Sequence, residues 1–233
     1  ADKRQDGAVL SGKTDNSREM SDQIRLSRTI PANVVLGETG LDVKQGDVYL
    51  DLAGGPGSYT AVAAAKGAQA IYIDKSRLNV PIVQELLRTI ANASPEDKAA
   101  ILNTLSTTNN FDVTSLFDRS LTDVAAEEPA DQRFFSDIGF ENVRVISDDA
   151  AKLSLSDNSV DKISVIDLFR WIDEQGGEEK LKGSIGEMLR VTKPSGQMYV
   201  RHDMVSQPGR DADAFTNEFI RVAQELGTEI EAR

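Results

Sequence analysis

The residues most able to do chemistry sit in one short stretch, Asp51, Ala53, Gly54, Gly55, Pro56 and Gly57, directly after the apolar run Val48-Tyr49-Leu50. Glycine has no side chain to block approach and tolerates positive φ, so a glycine-rich turn lets a ligand come close to backbone. Where a strand feeds a helix through such a turn, nucleotide-like cofactors dock. A second acid, Asp74, ends the apolar run Ala70-Ile71-Tyr72-Ile73 and lies 17 residues beyond Gly57. A carboxylate at that place can accept both hydroxyls of a ribose. A third acidic pair, Asp148-Asp149, followed by Ala150, ends the run Val143-Arg144-Val145-Ile146.

The elements that must position these residues alternate. Strands are expected over 48–52, 70–74, 143–146, 162–166 and 197–205, each a short apolar run bounded by turn residues. A helix of small residues is expected over 61–66, and strand, helix, strand within about 30 residues makes a βαβ unit. Ile82, Leu86 and Ile90 share one face of a further helix opened by Pro81. Ser94 is placed to cap another, with Asp97 at its third position. Two short helices are expected over 113–124 and 130–138, an amphipathic one around Leu181, Ile185, Met188 and Leu189, and a last one from Phe215 to a stop at Gly227. Asp157-Asn158-Ser159 and Lys193-Pro194-Ser195-Gly196 read as turns, and 228–233 as the start of a strand.

Taken together, these segments resemble the class I S-adenosylmethionine-dependent methyltransferases. The resemblance runs from about Gly46 to Val205, interrupted over about 78–127. Asp51, Ala53, Gly55 and Gly57 fill the family's first motif, with Ala53 in place of its first glycine. Asp74, followed by Lys75, resembles the acid that binds ribose. Asp149-Ala150, with Asp148 beside it, resembles the pair that reads adenine, and Asp167-Leu168 follows the fourth strand where the donor and acceptor meet. Lys193-Pro194-Ser195-Gly196 resembles the family's Pro-Gly-Gly turn, with Ser195 for the first glycine. The resemblance implies S-adenosylmethionine as cofactor and Asp51, Ala53, Gly54, Gly55, Pro56, Gly57, Asp74, Lys75, Asp148, Asp149, Ala150, Asp167 and Leu168 as the residues around it. A dinucleotide fingerprint fits less well, because Thr60 stands where glycine or alanine is needed.

The implied fold is α/β: a doubly wound, Rossmann-like, mostly parallel sheet with a helical insertion after strand 2. Residues 1–18 are expected to be a flexible N-terminal segment and 19–233 a single domain, with 78–127 a helical insertion that could serve as a lid. The implied function is methyl transfer to a small-molecule acceptor, in the cytoplasm. The alternative is a degenerate, non-enzymatic binding module acting through the insertion, a reading motivated by Ala53, Ser195 and the short stretch after the last helix. The family usually adds two more strands there, so a larger parent protein or a homo-oligomer that covers the sheet edge is compatible with the sequence.

Composition narrows the acceptor. The net charge is −12 with no dense basic cluster, so nucleic acid is disfavoured as a partner. There is no cysteine, which removes disulfides, thiolate metal ligands and the nucleophile that methylation at pyrimidine carbon 5 requires. No apolar run reaches membrane-spanning length, and no metal site is expected. Asp167-Leu168-Phe169-Arg170-Trp171 lacks the two prolines found after the fourth strand in enzymes that methylate base amino groups. Asp167 and His202, the only histidine, are the candidates for a catalytic role, and Asp203 accompanies His202 at the carboxyl end of the last strand.

Overall fold

The computed structural model describes residues 30–76, 79–108, 112–120, 123–124, 126, 140–166, 168, 177–201 and 212–226. Five strands form one sheet: β1 Val48–Leu52, β2 Gln69–Ile73, β3 Val143–Ile146, β4 Val160–Ile166 and β5 Thr192–Arg201. Their order is β3-β2-β1-β4-β5, and every pairing is parallel. The helices are α1 Ala32–Leu36, α2 Ser58–Ala65, α3 Asn79–Asn92, α4 Pro95–Thr107, α5 Gly177–Val191 and α6 Ala212–Glu225, with a 3-10 turn over Val113–Leu116.

Strand alternation builds two cores from one sheet. Tyr49, Ala70, Tyr72, Val143 and Val145 pack on the side of α1 to α4, together with Ala61, Ile82, Val83, Leu86 and Ile90. Leu50, Leu52, Ile73, Ile146, Ile163 and Val165 pack on the other side, against Ile185, Met188 and Val191 of α5 and Phe219 and Val222 of α6. This is the doubly wound arrangement expected from the sequence. A sheet buried on both faces needs near-continuous apolar strands, and these have them.

Chain order reverses between β1 and β4. The strands on either side of that point run outward in opposite directions, so the loops at their carboxyl ends part and leave a crevice, which is where open α/β sheets bind ligands. The loop after β1 flanks it.

Three local expectations are corrected. The Lys193-Pro194-Ser195-Gly196 turn is absorbed into β5 as a bulge. Val160 pairs with Thr192 and Lys162 already pairs with Gln197, so the extra β5 residues are accommodated without breaking the ladder. The expected helix over 113–124 is broken among the described residues into a 3-10 turn over Val113–Leu116, capped by Asp112, whose carboxylate accepts the Thr114 N–H at 3.0 Å, and a separate helical turn at Asp123 and Val124 that Ser120 caps. Finally α3 begins at Asn79, so Pro81 sits inside the first turn, where its missing N–H has no helical acceptor to lose. The helix expected over 130–138 and the strand start at 228–233 lie outside the described residues.

Candidate functional site

The glycine loop owes its shape to three residues in the left-handed region: Ala53 at φ 57, Gly55 at φ 53 and Gly57 at φ 79. Ala53 adopts the conformation that glycine would adopt more cheaply, held by its N–H, which donates to the Ile73 carbonyl at 2.7 Å and extends the β1–β2 ladder by one rung. Gly57 is the N-cap of α2, and a Cβ there would stand 1.9 Å from Val83 Cγ2 on α3. Lacking a Cβ, Gly57 lets α2 and α3 close on each other. Ser58 opens α2, and its Oγ is buried with no hydrogen-bond partner among the described residues. The N-cap residue Gly57 has no side chain to cap this helix, and the Thr60 N–H in its first turn is taken by the Asp51 carboxylate instead.

Asp51 lies under the loop, 1% exposed. A Cβ on Gly54 would come within 2.4 Å of Asp51 Oδ2, so the loop crosses the carboxylate at backbone distance. Oδ2 accepts the Thr60 hydroxyl at 2.8 Å and the Thr60 N–H at 3.2 Å, and Oδ1 accepts the Ser164 hydroxyl at 3.2 Å. Burial pushes the Asp51 carboxyl up to about 6, against the pull of the Thr60 and Ser164 hydrogen bonds, and the nearby Asp74 charge adds to the rise.

Asp74 follows β2 and is also buried. Its Oδ1 accepts the Ser76 N–H at 2.7 Å, and its Oδ2 accepts Asn79 Nδ2 at 2.9 Å and the Tyr72 hydroxyl at 3.3 Å. The Tyr72 hydroxyl donates to the Gly55 carbonyl oxygen at 2.5 Å, which ties the loop to β2 beside Asp74. Burial raises the Asp74 carboxyl, partly offset by these donors. Neither Asp51 nor Asp74 has a cationic side chain within ion-pair distance among the described residues. Two buried carboxylates without a cation suit a ligand that brings positive charge.

The third acidic pair divides its work. Asp148 is committed to its own loop, accepting the Asp149 N–H at 3.0 Å and the Ser154 N–H at 2.7 Å. Asp149 accepts the Ala151 N–H at 3.0 Å and faces Lys75 at 3.4 Å and Lys180, from the first turn of α5, at 3.9 Å. Burial acts to raise the Asp149 carboxyl, but the Ala151 N–H and the two lysines outweigh it and hold it below the usual range. Ala150 is buried beside it, and Leu168 packs at the edge of the second core.

The structure therefore gathers Asp51, Ala53, Gly54, Gly55, Pro56, Gly57 and Asp74 around one loop, and links Lys75 to Asp149 at the neighbouring strand ends. Asp167, Phe169, Arg170, Trp171, His202 and Asp203 lie outside the described residues. Tyr49, Thr60, Tyr72, Asn79, Ser164 and Lys180 were not singled out from sequence. Ser164 carried a usable signal, being the polar residue inside the apolar run Ile163-Ser164-Val165-Ile166, as did Tyr72, which alternation places on the face of Asp74.

The family model described as a methyltransferase domain matches residues 117–200. That stretch contains β3, β4, α5 and most of β5, and it begins downstream of the glycine loop. No curated protein matches the chain. Among solved structures, the chain is similar to a SAM-dependent methyltransferase from Aquifex aeolicus, with 18% identity, 94% of this chain and 92% of that one covered, and a TM-score of 0.49. It is also similar to a TehB-like SAM-dependent methyltransferase from Corynebacterium glutamicum, with 11% identity, coverage of 89% and 80%, and a TM-score of 0.49.

Proposed function

We propose that the chain is an S-adenosylmethionine-dependent enzyme that transfers the donor methyl to a small-molecule acceptor, in the cytoplasm, a reading supported by the methyltransferase-domain match over residues 117–200. The observation that carries the donor site is the pair of buried carboxylates, Asp51 in β1 and Asp74 just after β2, without cationic partners among the described residues. S-adenosylmethionine bears a sulfonium and an ammonium, so it supplies the charge that these residues lack. It also supplies an already activated methyl group.

The protein's own part is placement. The loop at residues 54–57 presents backbone, with Gly54 leaving Asp51 reachable at close range. Asp74 offers acceptors suited to ribose hydroxyls, and Asp149-Ala150 stands at the next strand end for the adenine. Ser58 Oγ, at the start of α2, suits the carboxylate of the methionine moiety as a hydrogen-bond donor. Methyl transfer then needs an acceptor aligned with the methyl and water kept out. Asp167 and His202 stand as candidates for removing a proton from the acceptor, from their places after β4 and β5 in the sequence.

A small acceptor is supported by the net charge of −12 and the missing cysteine. The helices between β2 and β3, with residues 78–127, are proposed as the acceptor side, either as pocket wall or as lid. The degenerate-module reading loses support from Ala53, because the loop takes its turn at that position despite the absent glycine.

Calorimetry with S-adenosylmethionine and S-adenosylhomocysteine tests the donor site, and transfer of labelled methyl to a panel of small oxygen, nitrogen and sulfur acceptors tests the reaction. Folded protein that binds neither compound would sink the proposal. Binding without transfer to any acceptor would favour the non-enzymatic module.

A further inference from the structure

Asp51 sits at one end of a buried polar chain whose other members belong to no known part of the donor site. The Ser164 hydroxyl donates to Asp51 Oδ1 at 3.2 Å, and the Tyr49 hydroxyl lies 2.5 Å from Ser164 Oγ. A serine has one proton to give. Since Ser164 gives it to Asp51, Tyr49 must donate to Ser164. Among the described residues, Ser164 is the only side chain that donates to Oδ1, while Thr60 serves Oδ2. Asp51 pairs directly with Ser164 in the parallel β1–β4 register, so the contact spans the point where the sheet reverses. All three side chains are essentially inaccessible to water. An apolar residue at position 164 would leave both Oδ1 and the Tyr49 hydroxyl buried and unpartnered.

We infer that Ser164, backed by Tyr49, is a positioning residue for the cofactor: it fixes the Asp51 carboxylate beneath the glycine loop, where that carboxylate serves the cationic donor. The inference rests on the donor-site reading above. Ser164 touches no reacting atom and acts through Asp51 alone.

The charged and titratable groups facing Asp51 define what else could move with it. Tyr49 lies on its own strand and Tyr72 and Asp74 on β2, while Tyr59 of α2 faces Tyr49. Burial holds both tyrosine hydroxyls at positions 49 and 72 far above the ordinary range, so they stay protonated donors. Of the group, Asp51 is the one whose carboxyl is pushed up to about 6, while Asp74 is raised by its burial. The Ser164 hydrogen bond favours ionised Asp51, so removing it lets Asp51 take a proton at higher pH.

The test is the affinity for S-adenosylmethionine by calorimetry from about pH 5.5 to 8.5, for wild type, Ser164→Ala, Ser164→Thr and Tyr49→Phe. Each result is taken as the ratio of variant to wild-type Kd, which cancels the titration of the ligand's own amine. For Ser164→Ala the ratio is expected to be several-fold at the basic end, where Asp51 is ionised but no longer fixed, and to rise further toward the acid end as Asp51 takes a proton more readily. Tyr49→Phe should show the same trend more weakly, and Ser164→Thr should restore the wild-type profile. In the free protein, carbon-13 NMR of the Asp51 carboxyl should show its titration moving upward in Ser164→Ala. If Ser164→Ala fails to fold, the Tyr49→Phe profile carries the decision. A ratio near one at every pH, or an Asp51 titration that stays in place, overturns the inference and leaves the donor site standing. A wild type that binds no donor overturns both.

Discussion

The Tyr72 hydroxyl donates to the Gly55 carbonyl oxygen at 2.5 Å, so the cofactor loop is held from β2 at one backbone carbonyl. Tyr72→Phe removes the donor and leaves a buried carbonyl without a partner. A loss of about 1–2 kcal/mol in stability is expected, together with several-fold weaker donor binding. Thermal melts and calorimetry on the same preparation check both effects.

Asp74→Ala takes away the acceptor for Ser76, Asn79 and Tyr72 at once. Donor affinity should fall by about 1–3 kcal/mol if the ribose hydroxyls bind there. Adenosine, which keeps the ribose but lacks the methionine, should lose a similar amount. An unchanged adenosine affinity would place the ribose elsewhere.

Asp51→Asn separates stability from binding. The folded protein raises Asp51 from its ordinary 3.8 to about 6. The native state therefore holds the proton more tightly than the unfolded chain does. That contribution is fully present below about pH 4 and is lost as pH rises through about 6. Asparagine carries no charge to desolvate, so the variant should be more stable than wild type by about 1–3 kcal/mol at pH 7.5, with the difference vanishing near pH 4. Its donor affinity should drop at the same time. Denaturant melts at the two pH values, beside calorimetry, read the trade directly.

Ala53→Gly should stabilise the fold by about 0.5–1 kcal/mol, because residue 53 sits at φ 57, where a Cβ is strained. The loop keeps its shape, so donor affinity should stay within twofold. Urea melts give the sign. A destabilised Ala53→Gly would mean that flexibility gained in the unfolded chain outweighs the relieved strain.

Gly57→Ala forces a methyl group into Val83 and strains a φ of 79. A destabilisation of about 2 kcal/mol or more is expected. Val83→Ala in the same chain should recover the part due to collision and leave the part due to backbone strain. A double-mutant cycle separates the two.

Much of this arrangement follows from local sequence. Alternation in Val48–Leu52 and Gln69–Ile73 sets which residues face which side, whatever lies across the sheet. Gly54, Gly55 and Gly57 mark the turn because backbone dihedrals are a property of single residues. The capping of α4 by Ser94, whose Oγ accepts the Asp97 N–H at 3.1 Å, is equally local and was legible for that reason. Where the local reading misjudged, as with Lys193-Pro194-Ser195-Gly196, pairing with β4 drew turn-forming residues into a strand.

What the sequence determined by itself is the βα alternation, the position of the glycine turn and the acids that end the strands. Only the tertiary structure decided which polar groups meet. Tyr49 and Asp51 reach Ser164 across 115 and 113 residues of chain, and the Asp149 carboxylate meets Lys75 across 74. Those distances close through the parallel register of β1 with β4 and of β2 with β3, which many apolar contacts fix together. The low-dielectric interior then makes each buried hydroxyl and carboxylate depend on its partner.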